Sequence, residues 1–526
     1  MVSTKNAPST FSGTLCARSA MFPGCHKEVL QSGMAEIKAD TFIRDYGQCL
    51  VERRAALFAG AGLSRAAGFV DWKGLMSGIA SDLDLRIDRE NDLVALAQYY
   101  TNERHGNRAE INNLLIQQFT QEAEETRNHQ LIARLPIHTV WTTNYDELLE
   151  KSFRRQDKRV DVKVDPRTLA LHQPGTDVTI FKMHGDVSAP YNAVLTKEDY
   201  ETYSETRELF TIRLKGDLVT QTFLFLGFSF TDPNIEYILS RIRGLLGQDT
   251  PTHYCIMRRP EKPADSAGAA KADYEYDCRK LNLRVGDLQR YGIQTVLIDE
   301  YSEVTDILQE LNRRAFLKNI FVSGSWTAGL DTFDVPRLGA FSRLLGKEII
   351  RRGYNLVSGY GWGIGSELIV GALDAADEKF STLHDRLVLR PFPRSLEDAR
   401  RDKIFREWRE AMLSLAGISI FVAGNKPDPA SGQIVNGDGV LQEFEIGTTA
   451  PLANFPIPIG ATGYTAREIW ETVMRNPDRY YGRLDVKTPL QALGDPNITN
   501  EKAIDAIFEI VSRCVKAEGF AARLGG

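Results

Sequence analysis

Four short segments in the first half of the chain place chemistry-bearing side chains where a strand gives way to a turn. The first is Gly60-Ala61-Gly62-Leu63-Ser64, followed by Asp71-Trp72. Small residues after a strand let backbone approach a pyrophosphate, and a following helix can aim its first N–H groups at that charge. The second is Thr142-Thr143-Asn144-Tyr145-Asp146-Glu147, which closes a predicted strand and opens a helix. The third is Met183-His184-Gly185-Asp186, where an imidazole at a strand end can serve as a general base near neutral pH. The fourth is Gly227-Phe228-Ser229, suited to the edge of a ribose or phosphate. Each segment alone has a plainer reading. The glycine segments can be turns without a ligand, and His184 can be an ordinary core histidine. Asn144 can be a helix N-cap, with Glu147 at the capping-box spacing.

The second half repeats the theme. Ser323-Gly324-Ser325 ends a predicted strand, and Gly359, Gly361, Gly363 and Gly365 alternate between a strand and a helix, a pattern compatible with a nucleotide-phosphate loop. Phe392 lies at another strand end, Arg409 on the helix after it, and Lys426 beyond the next strand. Gly439 and Glu443 open a further helix. Arg409 and Lys426 can clamp phosphates, and Glu443 can accept ribose hydroxyls. The plainer reading makes each of them a solvated surface charge.

The elements that must carry these residues alternate. Strands are predicted at the end of 50–61 and at 137–143, 178–183, 223–228, 252–257 and 294–298, with helices at 93–100 and 111–119 among those between them. A loop rich in proline, alanine and charge is expected at 259–273. A second alternating run starts with a strand at 320–323 and includes strands at 355–359, 385–391 and 417–424. The fold class is therefore α/β: two Rossmann-like three-layer domains with mostly parallel sheets. The expected domains span 34–315 and 318–526. Residues 1–33 are small and polar, lack the apolar core of a secretory signal, and are expected to be a disordered tail or to precede the true start.

Composition narrows the function classes. The chain has 526 residues, 43% hydrophobic and 25% charged, which excludes a wholly disordered chain. A net charge of −6 argues against a chain-wide grip on nucleic acid or an anionic membrane. No apolar stretch approaches the roughly 20 residues of a membrane helix. The six cysteines form no CxxC pair and read as reduced, cytoplasmic thiols, and no metal site is suggested.

Taken together and in order, GAGxS, Asp71, TxNYD, HG and GxS resemble the sirtuin (SIR2) NAD-binding fold over about residues 40–300. That resemblance implies NAD as substrate, bound by Gly60, Ala61, Gly62, Ser64, Asp71 and Trp72. Asn144 would hold the ribose or the attacking water, His184 would be the base, and Gly227 and Ser229 would line the adenosine side. Protein-deacylating sirtuins carry a zinc ribbon of two CxxC pairs after the HG motif, whereas here no cysteine follows His184 until Cys255. Without an acyl-lysine groove, water is the natural nucleophile, and the products would be nicotinamide and ADP-ribose.

The second half is similar to the SLOG nucleotide-sensing fold. Its region NGDGVLQEFE departs from the PGGxGTxxE signature of the related phosphoribohydrolases, which favours sensing over catalysis. The pairing of a zinc-less SIR2 domain with SLOG resembles the effector family of Thoeris anti-phage systems. That resemblance implies activation by a cyclic ADP-ribose isomer made by a TIR-domain partner, NAD depletion, and assembly into homotetramers or larger. Gly324, Ser325, Gly361, Phe392, Arg409, Lys426, Gly439 and Glu443 would hold the signal. An NAD-dependent deacylase, a non-enzymatic nucleotide sensor and a C-terminal phosphoribohydrolase remain alternatives on the residues alone.

Overall fold

The computed structural model describes residues 36–69, 72–120, 123–230, 232–249, 251–263, 269–330, 333–375, 386–392, 398–450 and 452–516. The expected tail at 1–33 and Asp71 lie outside the described residues.

Seven strands build the first sheet: β1 (Ala55–Ala59), β2 (Thr139–Thr142), β3 (Val160–Lys163), β4 (Val178–Lys182), β5 (Thr222–Leu226), β6 (His253–Arg258) and β7 (Ile293–Ile298). Their order is β3-β4-β2-β1-β5-β6-β7, and every pairing is parallel. Side chains alternate between two buried faces, as the two-residue period of a strand requires. Leu57, Val140, Ile180 and Leu224 point into one core, while Phe58, Trp141, Phe181 and Phe225 point into the other. Helices Ala39–Val51 and Ser302–Ala315 pack on the first face, and Glu208–Thr220 and Pro233–Leu246 on the second. Burial on both faces explains why these strands read as nearly continuous apolar runs.

Five strands form the second sheet in the order β10-β9-β8-β11-β14: β8 (Asn319–Ser325), β9 (Asn355–Ser358), β10 (Leu387–Leu389), β11 (Ile418–Ala423) and β14 (Phe455–Ile459). All pairings are again parallel. A short antiparallel hairpin, β12 (Asn425–Pro427) with β13 (Ile434–Asn436), follows β11. Helix Asn500–Lys516 closes the core through Ile504, Ile507 and Val511.

Both sheets share one topological device. Strand β1 lies between β2 and β5, and β8 between β9 and β11, so in each sheet the chain leaves the central strand in opposite directions. The connections diverge there, and it is beyond the carboxyl ends of the strands at such a point that ligands of doubly wound sheets bind. In the first domain, helices Trp72–Asp82, Leu93–Glu103 and Ala109–Phe119 are inserted between β1 and β2. They form their own apolar cluster around Leu75, Met76, Leu96 and Leu115, joined by Tyr145 just past β2.

Three details depart from expectation. The surface loop predicted to reach Asp273 ends earlier, because helix Ala269–Arg290 already covers its last residues. Strand β3 was not expected: its sequence VDVK buries a paired Asp161 and Lys163 at 2.8 Å, and two charges in four residues mask a strand. Strand β14 reads Phe-Pro-Ile-Pro-Ile, and prolines argue against a central strand. It is an edge strand, pairing among the described residues with β11 alone.

Candidate functional site

Asn144 and His184 stand two residues beyond the ends of neighbouring strands. Strand β2 pairs with β4 in the register Thr142 to Lys182, so Asn144 and His184 emerge at the same level of the sheet. The Met183 N–H extends the pairing to the Thr142 carbonyl at 3.0 Å. Both side chains are buried, at 7% and 5% exposure.

The Asn144 amide is oriented from below. Its Nδ2 donates to the Gly60 carbonyl at 3.1 Å and to Ser64 Oγ at 2.8 Å. Ser64 Oγ in turn donates to Asp146 Oδ2 at 2.7 Å. Because the carboxylate takes the hydroxyl proton, the Ser64 oxygen is left as an acceptor, which settles which end of the amide faces Ser64. Asn144 Oδ1 is then the free end, buried and without a hydrogen-bond partner among the described residues. An unpaired buried acceptor is costly and marks a place where a ligand hydroxyl or water would bind. Asn144 is not a helix cap: the following helix begins at Leu148, whose N–H donates to Asp146 Oδ1 at 3.0 Å.

Beneath this loop lies Lys182, fully buried at 0% exposure. Its Nζ donates to the carbonyls of Tyr145 at 3.2 Å and Asp146 at 2.6 Å, lies 3.0 Å from Glu150 Oε1, and pairs with Asp186. Burial pulls its pKa down, but Glu150 and Asp186 outweigh that and hold it above the ordinary value. Burial pushes the Glu150 carboxyl up, only partly offset by Lys182. The charged cluster fixes the Asn144–Asp146 turn to the end of β4.

Among the described residues, the imidazole of His184 meets Tyr200, Tyr203 and Asp232. Tyr200 and Tyr203 face it edge-on, with centroids at 5.5 and 6.4 Å. Asp232 Oδ2 lies 2.9 Å from its Nε2, within ion-pair distance though off the line of a hydrogen bond. Asp232 also caps helix Pro233–Leu246, its Oδ1 accepting from Asn234 N at 2.9 Å and Ile235 N at 3.2 Å. Burial raises its pKa, but His184 and the two backbone N–H groups overcome that and hold the carboxyl below the ordinary value. Sequence reasoning missed Asp232 as a site residue. The only signal was an Asp-Pro pair after the GFS turn, which reads equally well as a plain N-cap.

The glycines of the first loop serve chain-to-chain contact. A Cβ on Gly60 would stand 2.5 Å from the Gly227 carbonyl oxygen, and one on Gly62 would stand 2.9 Å from the same atom. Gly62 N donates to the Gly227 carbonyl at 2.9 Å, and Gly227 itself needs a positive φ of 65°. The helix that follows, Ala61–Arg65, has five residues, too few for the aligned dipole expected from the sequence. Ala61, Gly62 and Ser229 are exposed at this end of the sheet, and Trp72 is half-buried against the inserted helices.

In the second domain, the carboxyl ends of β8, β9 and β11 surround a cavity of about 170 Å3. Its lining includes Gly324, Ser325, Gly361, Phe392, Lys426, Gly439 and Glu443. Arg409 sits immediately behind: its guanidinium lies over the rings of Phe392 (5.1 Å) and Phe405 (5.7 Å), with Nε 3.6 Å from Glu443 Oε1. Glu443 accepts from Ser323 Oγ at 2.5 Å, and burial raises its pKa despite Ser323 and Arg409. Lys426 Nζ pairs with Asp438 at 2.6 Å on the cavity rim. Gly324 and Gly361 again let backbones meet, since a Cβ on Gly361 would lie 2.1 Å from the Gly324 carbonyl oxygen. Of the eight residues expected to hold the signal, seven thus line one cavity and Arg409 packs behind it.

Comparison with known proteins fits these two centres. Residues 138–278 match the SIR2-like domain, a span that holds Asn144, His184 and Asp232 but not the Gly60 loop. Residues 303–514 match the Sir2- and TIR-associating SLOG family and enclose the whole second cavity. The chain is 41% identical over 475 residues to the NAD(+) hydrolase ThsA of Bacillus cereus (strain MSX-D12), covering 90% of this chain and 98% of that protein. The chain belongs to the ThsA NAD(+) hydrolase family. The ThsA relative from Acinetobacter baumannii (strain 532279) is 42% identical over 438 residues, covering 82% of this chain and 89% of that protein. Beyond ThsA, the Defense-associated sirtuin 2 of Bacillus subtilis is 25% identical over 274 residues, half of this chain and 26% of that protein. The ThsA match spans both centres, so the two sites belong to one protein type rather than to a chance fusion.

Proposed function

We propose that this chain is a signal-gated NAD hydrolase that replaces nicotinamide on ribose C1′ with water. The observation that carries the reading is the register-aligned pair beyond the carboxyl ends of β2 and β4, Asn144 with its free Oδ1 and His184 with its carboxylate partner. Nicotinamide leaves as a neutral molecule with the bonding electrons, and positive charge develops on the ribose ring. Asn144 Oδ1 would accept from a ribose hydroxyl or from the attacking water. His184 would take the proton released as water, or a ribose hydroxyl, is activated. Gly60, Ala61, Gly62 and Trp72, with Asp71 and the Gly227–Ser229 turn, would hold the dinucleotide. Ser64 would act through Asn144, since its hydroxyl is already engaged on both sides.

The second cavity would bind a cyclic ADP-ribose isomer made by a TIR-domain partner, in anti-phage defence of the Thoeris type. Arg409 and Lys426 would meet the phosphates, Glu443 a ribose, and Phe392 the base, with Gly324, Ser325, Gly361 and Gly439 framing them. Arg409 and Lys426 face Glu443 and Asp438, so meeting the phosphates would draw both cations from these contacts. A signal that binds the rearranged form better shifts the population toward it, which is the physical basis of gating. The active form would be a homotetramer or larger assembly in the cytoplasm.

The test is nicotinamide release from NAD by the full-length protein, with and without cyclic ADP-ribose isomers. Release should rise with one isomer, vanish in His184→Ala, and lose its response in Arg409→Ala while that variant still binds NAD. Release that required an acylated peptide would replace this reading with a deacylase, and NAD binding without release would replace it with a sensor.

A further inference from the structure

We propose that Asp232 is the positioning residue of His184, locking the imidazole in one orientation and stabilising it once it has accepted a proton. The inference rests on the hydrolase reading above. Three observations carry it. The Asp232 Oδ2 to His184 Nε2 distance is 2.9 Å, with side-chain exposures of only 9% and 6%. The carboxylate cannot swing away, because its other oxygen accepts two backbone N–H groups at the start of a helix whose first residue is Pro233. The ring is flanked edge-on by Tyr200 and Tyr203, so it cannot easily turn either.

With Nε2 turned to Asp232, Nδ1 is the nitrogen left to take a proton. When water attacks C1′, its proton passes to Nδ1, the ring becomes an imidazolium, and the negative charge of Asp232 offsets the new positive charge. Among the described residues, no other group near the pair does this. Tyr145, Tyr200 and Tyr203 are pushed above the ordinary phenol value by burial and stay neutral. Arg207, which faces Tyr203, is held by the carbonyls of Val164 and Asn192. Asp186, two residues beyond His184, is committed to Lys182, and Asp199 is committed to Arg108.

The experiment compares Asp232→Asn with Asp232→Ala in the full chain, under whichever signal isomer activates the wild type. Asparagine is as good an N-cap as aspartate, so Asp232→Asn keeps the helix and removes the charge. The expected result is an unchanged thermal midpoint, kcat reduced at least tenfold, and KM for NAD within about twofold. The acid limb of kcat/KM should move to lower pH, because an ionised carboxylate at this range favours the protonated imidazole. Asp232→Ala should lose both activity and stability. If Asp232→Asn keeps wild-type kcat and pH profile while Asp232→Ala loses only stability, Asp232 is a cap and the proposal fails. A second arm follows the His184 titration by NMR of 13C-labelled imidazole, assigned with His184→Ala. Its midpoint should fall in Asp232→Asn, and an unmoved midpoint overturns the proposal. That arm needs no turnover, so an inactive wild type, which would defeat the hydrolase reading, remains distinguishable from failure of the Asp232 assignment.

Discussion

Replacing Lys182 by methionine removes the cation at the centre of the buried cluster while nearly keeping its length. Glu150 and Asp186, with side chains 4% and 5% exposed, are then left without their partner, and two carbonyls lose a donor. Breaking a buried pair in this way costs about 3–5 kcal/mol. At a few degrees per kcal/mol for a domain of this size, the first thermal transition should fall by roughly 10 °C. The loss should also depend on pH. In the wild type the Asp186 pKa is lowered: burial alone would raise it, but Lys182 reverses that. Its stabilising contribution is present above the unfolded value near 4 and fades only as pH falls through the lower folded value. In Lys182→Met the Asp186 carboxyl is raised instead, and Glu150, already raised, is raised further. A raised carboxyl destabilises at high pH and recovers as pH falls through its folded value. The gap between wild type and variant should therefore narrow from pH 8 to pH 5.5. Differential scanning fluorimetry at both pH values measures it. A fall under about 3 °C, or a gap that does not change with pH, would refute the cluster as the support of the Asn144 turn.

Four further outcomes follow from the packing and the ion pairs. Gly60→Ala sets a Cβ 2.5 Å from a backbone oxygen that cannot yield, so KM for NAD should rise at least tenfold; Gly78→Ala, whose Cβ meets open space within a helix, should instead stabilise by about 0.5–1 kcal/mol. An unchanged KM in Gly60→Ala would show that the loop is not a dinucleotide cradle. Gly361→Ala, with its Cβ 2.1 Å from the Gly324 carbonyl oxygen, should abolish calorimetric binding of the signal while leaving NAD binding by the first domain intact. Glu443→Gln keeps shape but removes the charge facing Arg409, and signal affinity should fall about tenfold; equal affinity in the variant would remove Glu443 from the ligand contacts.

Legibility tracked the kind of signal each residue left. Strands β1, β2, β4 and β5 were plain because burial on both faces demands apolar runs ending at glycine or a polar turn. Strand β3 and the β12–β13 hairpin were not, since three or four residues with charged or exposed side chains are too short a run to show a periodicity. Asn144 and His184 were readable as candidates from their strand-end positions. Which reading of Asn144 applied was not, because a cap and an oriented amide look alike until Ser64 and Asp146 are brought beside it. Ser64 was expected to touch the dinucleotide; that its hydroxyl also bridges Asn144 and Asp146 left no local signal. In the second domain, single charges such as Arg409 and Glu443 were ambiguous alone, and the parallel register of β8, β9 and β11 is what brings their segments to one cavity.

Local chemistry, then, was determined by the sequence itself: two alternating α/β runs, glycines where chains must touch, an imidazole and an amide at strand ends, and no paired cysteines for a zinc ribbon. These follow from periodicity and side-chain type, which act over a few residues. Only the tertiary structure decided the pairings across the chain: Asp232 on His184, Ser64 beneath Asn144, Lys182 beneath the turn, and Arg409 behind Glu443. Each joins segments from different strands or helices. Such contacts depend on strand order and register, which no local pattern encodes, and on burial, which turns ordinary polar side chains into partners that cannot be left unpaired.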